Sequence, residues 1–342
     1  MFNKAIQIDG SFIELMNNIK SADIRLPSKP VIISGMVDVD DLKIHYKIQV
    51  IEDDLISRKL DPFQGQNITL DQSHIIMAYD ESIAFFSSLE GKVAYVSHSL
   101  VTMYGGQYYP LNRLSLLFCT RSSEVLSRIP GAIPADEKWG IDTTINVEIA
   151  KQKRDFIVTN VVPNSILLID GPYLAGDGSF TFNESIDDMI EKGVLPVFIV
   201  KNSAASIIID NIEELSGKYN SDLHYANEVL DEGTRTQFFK YTDLNSKEKS
   251  KVFCYIKHHN HASPIRVEIP TVIFEHNREA VESVMDLLYY LILVQGNSIN
   301  PQVRPIAIAE MFARETLGLI NVNKDIVQMK LTATMNEKRG ME

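Results

Sequence analysis

The chain has 342 residues, 45% hydrophobic and 23% charged, enough for one large core or two modest ones. Its formal net charge of -12 argues against a protein that coats DNA by phosphate attraction alone, although an enzyme that gathers carboxylates around cations can be acidic overall. It has no apolar run of the roughly eighteen residues that a membrane span needs, and residues 1–10 lack the basic-then-apolar order of a secretory signal, so a cytoplasmic protein is expected.

In chain order, residues 12–20 read as a helix, and two alternating runs at 31–39 and 42–51, joined by Asp40-Asp41, read as a hairpin. From residue 74 the pattern changes to short apolar runs of the kind found in sheets covered on both faces, at 74–79, 92–101 and 114–119. Gly91 and Gly105-Gly106 supply the turns, which gives a three-stranded antiparallel meander, the opening of a ribonuclease H-like sheet. A helix follows from an Asp142 N-cap to Val161, broken by Pro163. Residues 165–169, 184–192 and 195–200 then read as strand, helix and strand, the order of a parallel crossover. Residues 252–257 and 265–269 read as a hairpin, and 278–295 as an apolar helix with Val281, Val284, Leu288 and Leu291 at helical spacing. A last helix begins near Pro305. Cys119 and Cys254 each sit in an apolar stretch and read as reduced core thiols. With no repeat or linker, the expectation is an α/β protein: a ribonuclease H-like mixed sheet with flanking helices over 71–325, an N-terminal helix-and-hairpin extension over 1–70, and a tail over 326–342.

Ile166-Leu167-Leu168-Ile169-Asp170-Gly171 is an apolar strand that ends in a carboxylate and a turn glycine. Ligands gather at the carboxyl ends of parallel strands, so Asp170 is either a site carboxylate or a plain Asp-Gly turn. The run from Ile75 to Tyr79 delivers Asp80 in the same way. Two converging carboxylates repel unless a cation neutralises them, so their convergence predicts a metal. A third ligand is sought on the intervening helix, where Glu148 and Asp155 lie seven residues apart on one face. Solvated helix carboxylates are the ordinary alternative. His258-His259-Asn260-His261 resembles a metal cluster but sits between two strand-like runs, where a polar hairpin tip explains it. Gly176-Asp177-Gly178-Ser179 lacks the lysine of a phosphate loop, and no Walker motif occurs, so the chain is not itself an ATPase.

Several segments, in order, resemble the NurA nuclease family. Ala78-Tyr79-Asp80-Glu81-Ser82 resembles its first motif, and Leu168-Ile169-Asp170-Gly171-Pro172 its Leu-Asp-Gly motif, followed by Val197-Phe198-Ile199-Val200-Lys201. Glu232-Gly233-Thr234-Arg235-Thr236 and Pro264-Ile265-Arg266-Val267-Glu268-Ile269-Pro270 resemble two further family segments. Glu81 stands where the family prefers glycine. The C-terminal Tyr-Pro and Ala-His pattern is altered: after Asn300-Pro301, one alignment puts Glu310 in the histidine's place and a shifted one puts Phe312 there.

The resemblance implies a metal-dependent deoxyribonuclease using Mn2+ or Mg2+, a homodimer, and a HerA-type hexameric ATPase as partner in DNA end processing or antiviral defence. On this reading Asp80, Glu148, Asp170 and Glu310 are the metal ligands, Asp80, Glu148, Asp170 and Lys201 the catalytic set, and Arg235 and Arg266 the DNA contacts. For Lys201 the alternative is a strand-end lysine that snorkels. For the two arginines it is ion pairing with neighbours such as Glu268. A catalytically impaired structural adaptor of the ATPase ring, and a metal phosphohydrolase for small substrates, are the competing functions.

Overall fold

Alternating and continuous apolar runs, not helices, dominate the middle of the chain, and they assemble into one large mixed sheet. The computed structural model describes residues 10–22, 46–52, 57–71, 75–174, 179–244, 249–294 and 302–334. In chain order the strands are β1 (Tyr46–Val50), β2 (Ser57–Lys59), β3 (Ile75–Ser87), β4 (Lys92–Tyr104), β5 (Gln107–Thr120), β6 (Ile133–Pro134), β7 (Ser165–Asp170), β8 (Leu195–Val200), β9 (Thr234–Thr236), β10 (Phe239–Asp243), β11 (Ser250–Lys257) and β12 (Ile265–Pro270). The helices are α1 (Gly10–Ser21), α2 (Pro62–Leu70), α3 (Ser123–Arg128), α4 (Gly140–Asn160), α5 (Ser179–Asn183), α6 (Ile186–Glu191), α7 (Asp222–Val229), α8 (Thr271–His276), α9 (Arg278–Leu293), α10 (Arg304–Gly318) and α11 (Val322–Met329).

The sheet runs β1-β10-β11-β12-β8-β7-β3-β4-β5-β6. β3, β4 and β5 form the antiparallel meander, turning at Gly105-Gly106, and β7 and β8 add in parallel beside β3. This is the ribonuclease H-like order. β11 and β12 form the expected hairpin, and β12 joins β8 antiparallel.

β3, β4 and β5 are longer than their apolar runs suggest, reaching 13, 13 and 14 residues, because backbone pairing carries β3 past Asp80 to Ser87 and brings in β5 from Gln107, whatever the polarity of the side chains. The described part of the second N-terminal run, β1, pairs with β10. The other run of the expected hairpin, 31–39, with its Asp40-Asp41 turn, lies outside the described residues, as do residues 175–178, 295–301 and 335–342. Asp142 is not a cap: α4 begins at Gly140, and Asp142, in its first turn, pairs with Lys92 at 2.6 Å.

β7 and β8 are covered on both faces, which their unbroken apolar runs require. α9 buries Val281, Val284, Leu288 and Leu291 in the main core, and Gly65 of α2 lets the two helices approach so closely that a Cβ there would meet the Asp286 carbonyl oxygen at 2.2 Å. Both cysteines are buried and free. Among the described residues no helix is long and apolar enough to cross a membrane.

Candidate active site

β3 and β7 run in parallel with Tyr79 opposite Ile169, so the next residues, Asp80 and Asp170, stand side by side on the same face of the sheet. β7 ends at Asp170, where Gly171 turns the chain at a φ of +96°, a left-handed conformation that glycine adopts without strain. β3 does not end there. Asp80 is a mid-strand residue, not the terminal one that its apolar run suggests, and β3 continues to Ser87.

β8 pairs Ile199 with Asp170, which brings Lys201, just past the strand end, back over the same face. Its Nζ lies 2.7 Å from Asp170 Oδ2 and 3.7 Å from Glu310 Oε2. Glu310 comes from α10, which packs along β3 and β4. Its other oxygen, Oε1, is paired with Arg314, one turn further on. Phe312 instead packs against the main core, so Glu310 is the residue that α10 presents to the site.

Asp80 is only 8% exposed. Burial first, and then the nearby Asp170 and Glu310 charges, push its carboxyl up to about 7, against the opposing pull of the Glu81 backbone N–H and Lys201. Burial also disfavours the charge of Lys201, but Asp170, Glu310 and Asp80 outweigh it and hold the ammonium more tightly than usual. Three carboxylates and one ammonium therefore share one partly closed site. Three carboxylates are suited to a hard divalent cation, and the proton affinity of Asp80, raised by burial first and by its acidic neighbours second, is what such a cation would oppose. Among the described residues no three His, Cys, Asp or Glu side chains already stand close enough to hold an ion; here Lys201 bridges Asp170 and Glu310.

The other face of the same strands carries a separate network. The Tyr79 hydroxyl donates to Glu81 Oε2 at 2.6 Å and lies 2.7 Å from His98 Nδ1, and burial lowers His98 to about 4. Phe156 of α4 packs on Tyr79 and His98. α4 thus covers the side opposite Asp80, and neither of its two candidate ligands joins the acidic cluster. Glu148 pairs with Lys151 at 2.6 Å and lies close enough to Cys119, at the far end of β5, to add to the burial that raises its thiol. Asp155 pairs with Arg154 at 2.8 Å and is largely exposed. Glu81 lies on this side too, so the departure from glycine does not intrude on Asp80.

The two arginines expected to touch DNA are buried in ion pairs. Arg235 is fully buried, with Nη1 2.9 Å from Glu52 Oε2 and Nη2 2.8 Å from Glu282 Oε2. Arg266 Nε lies 2.7 Å from Glu268 Oε1, off hydrogen-bonding angle, and its Nη1 donates to Ser203. Glu268 also pairs with Lys251 at 2.7 Å and accepts the Tyr173 N–H, which fixes the loop that follows Asp170. His258 is buried in the β11–β12 loop, while His259 and His261 keep to its surface, one N–H of the turn bonding back to His259.

Sequence reasoning missed two residues. Ser99 faces Asp80 across the β3–β4 pair, and its hydroxyl is buried with no partner among the described residues. Only its alternation with Ser97 in an apolar strand hinted at a polar stripe there. Arg314 was legible in principle as the i+4 neighbour of Glu310.

Residues 161–314 match the family model described as the NurA domain. That span contains Asp170, Lys201, Glu310 and Arg314, with Asp80 before it. No curated protein matches the sequence significantly. Among solved structures, the chain is similar to the NurA nuclease from Sulfolobus solfataricus, with 13% identity, coverage of 74% of this chain and 84% of that one, and a TM-score of 0.46. It is also similar to a NurA structure with manganese (9% identity, 75% and 92% covered, TM-score 0.40) and to Ciona intestinalis endonuclease V in complex with DNA (12%, 72% and 87%, TM-score 0.39).

Proposed function

We propose that this chain, a member of the NurA family through residues 161–314, is a metal-dependent nuclease that hydrolyses DNA phosphodiesters at the Asp80, Asp170 and Glu310 cluster. The observation that carries the reading is the pairing of Asp80 and Asp170 on adjacent parallel strands, with Lys201 and Glu310 brought to the same point from β8 and α10. Asp80, Asp170 and Glu310 would hold one divalent cation, Mn2+ or Mg2+. Such an ion, when bound, lowers the pKa of a water and polarises a phosphoryl oxygen. Glu148 is left out of this ligand set, because α4 lies behind the sheet.

The protein's own groups divide the remaining work. Asp170 and Glu310 hold the Lys201 ammonium over the strand ends, where it can neutralise charge developing on a phosphoryl oxygen. The buried Asp80 carboxyl, with its raised proton affinity, is stabilised in the ionised form by any cation that arrives. Glu268 anchors the backbone just after Asp170 and so limits that strand end's movement. We place with this reading a homodimer and a HerA-type hexameric ATPase as partner, in DNA end processing or antiviral defence.

The test is cleavage of single-stranded and linear duplex DNA by the purified chain with manganese, alone and with the ATPase. The expected result is cleavage by the wild type and its loss in Asp170→Asn. Wild type and variant equally inert in both settings would point to a structural adaptor of the ring. Turnover of small phosphoesters without action on DNA would replace the substrate class.

A further inference from the structure

An acidic chain that acts on a polyanion needs local cations at its site, and most candidate cations near this one are already committed. Arg235 and Arg266 are buried in ion pairs, and Lys153 and Arg113 lie on the α4 side, over the Tyr79 and Phe156 rings. Arg314 is placed differently. Its side chain is 71% exposed, and among the described residues it pairs with Glu310 Oε1 alone, on the carboxylate whose other oxygen lies 3.7 Å from Lys201.

Four residues apart on α10, Glu310 and Arg314 share one helix face. α10 runs alongside β3: Ile306 and Ala309 pack in the core with Ile76 and Ala78, whereas Leu317 packs by Phe86 and Val93. The backbone of Arg314 therefore lies about one helical turn, roughly 5.4 Å, beyond that of Glu310, and its guanidinium stands at the edge of the acidic cluster, on the side past the ends of β7 and β8. A strand whose reacting phosphate sits at Lys201 would pass this guanidinium next.

We propose that Arg314 is a substrate-binding residue that takes a backbone phosphate adjacent to the reacting one, exchanging its pairing with Glu310 for the nucleic acid. A guanidinium offers a fork of N–H donors suited to phosphate oxygens, and an ion pair whose guanidinium stands in solvent is a weak competitor, even though its Glu310 partner is largely buried. This inference rests on the nuclease reading of the same site and adds to it the residue that positions the strand.

The experiment measures binding of a fluorescein-labelled single-stranded oligodeoxynucleotide by anisotropy across a salt series, with calcium in place of manganese, and steady-state cleavage with manganese. Wild type, Arg314→Ala and Arg314→Lys are compared. Loss of one phosphate contact lowers the slope of log affinity against log salt by about 0.7 for a single strand. The expected result for Arg314→Ala is that smaller slope, a several-fold weaker affinity and a raised KM with kcat little changed, with Arg314→Lys intermediate. An unchanged slope and KM in an active protein would overturn the proposal alone. A fall in kcat with an unchanged salt slope would also overturn it, by showing that Arg314 acts only through Glu310. A wild type that neither binds nor cuts DNA would remove the nuclease reading and this inference with it.

Discussion

Replacing Asp80 with Asn tests the electrostatic cost of the site. Burial, reinforced by Asp170 and Glu310, raises the Asp80 carboxyl from 3.8 to about 7 in the folded protein. At about 1.4 kcal/mol per tenfold change in proton affinity, holding Asp80 ionised in the metal-free protein costs about 4 kcal/mol. The folded state binds this proton more tightly than the unfolded chain, so the wild type loses stability as pH rises from about 4 to about 7 and recovers it on acidification. Asp80→Asn has the same shape without the charge and escapes that loss. In chelator, its stability advantage should be near zero at the acid end and grow by about 3 kcal/mol between pH 5 and pH 8, read from denaturant unfolding at constant m-value. Manganese should raise the melting temperature of the wild type and leave that of the variant nearly unmoved. Parallel pH profiles for the two proteins would refute the argument that Asp80 is held against its ionisation.

Three further outcomes follow. Glu148→Gln should keep cleavage within about twofold of wild type, since Glu148 pairs with Lys151 behind the sheet; an abolished activity would return α4 to the site. Arg235→Met should destabilise by about 3–5 kcal/mol in chemical unfolding because it strands the buried Glu52 carboxylate, while Glu282 keeps Arg58, and a stable variant that lost only DNA affinity would contradict the structural role. Gly65→Ala should cost about 1–3 kcal/mol, because the added methyl meets the Asp286 carbonyl; unchanged thermal stability would mean that α2 and α9 separate more freely than their packing indicates.

The fold was legible where local pattern and global role coincide. The doubly covered strands β7 and β8 announce themselves as unbroken apolar runs, and α9 by the spacing of Val281, Val284, Leu288 and Leu291. Strand length was not legible in the meander. Asp80, Glu81 and Ser82 look like the end of an apolar run, but backbone pairing with β4 carries the strand to Ser87 regardless of side-chain polarity. What makes Asp80 a candidate site residue is that β7 stops beside it while β3 continues.

The site divides along the same line. Asp170 and Lys201 stand next to strand ends, so linear order locates them. The third carboxylate depends on which side of the sheet each helix covers, which the handedness of the connections sets and helical periodicity does not encode. Glu148 and Asp155 share a helix face, as their spacing requires, but that helix packs on Tyr79 and His98, whose side chains point away from Asp80. The arginines carry a related lesson. A basic residue in an acidic chain invites a phosphate, yet Arg235 and Arg266 have buried carboxylates as partners, one of them supplied by Glu52 from 183 residues away. Arg314 pairs with a near neighbour on its own helix and keeps its side chain in solvent. The difference between a structural and an available arginine therefore rests on burial, and burial is a property of the assembled sheet.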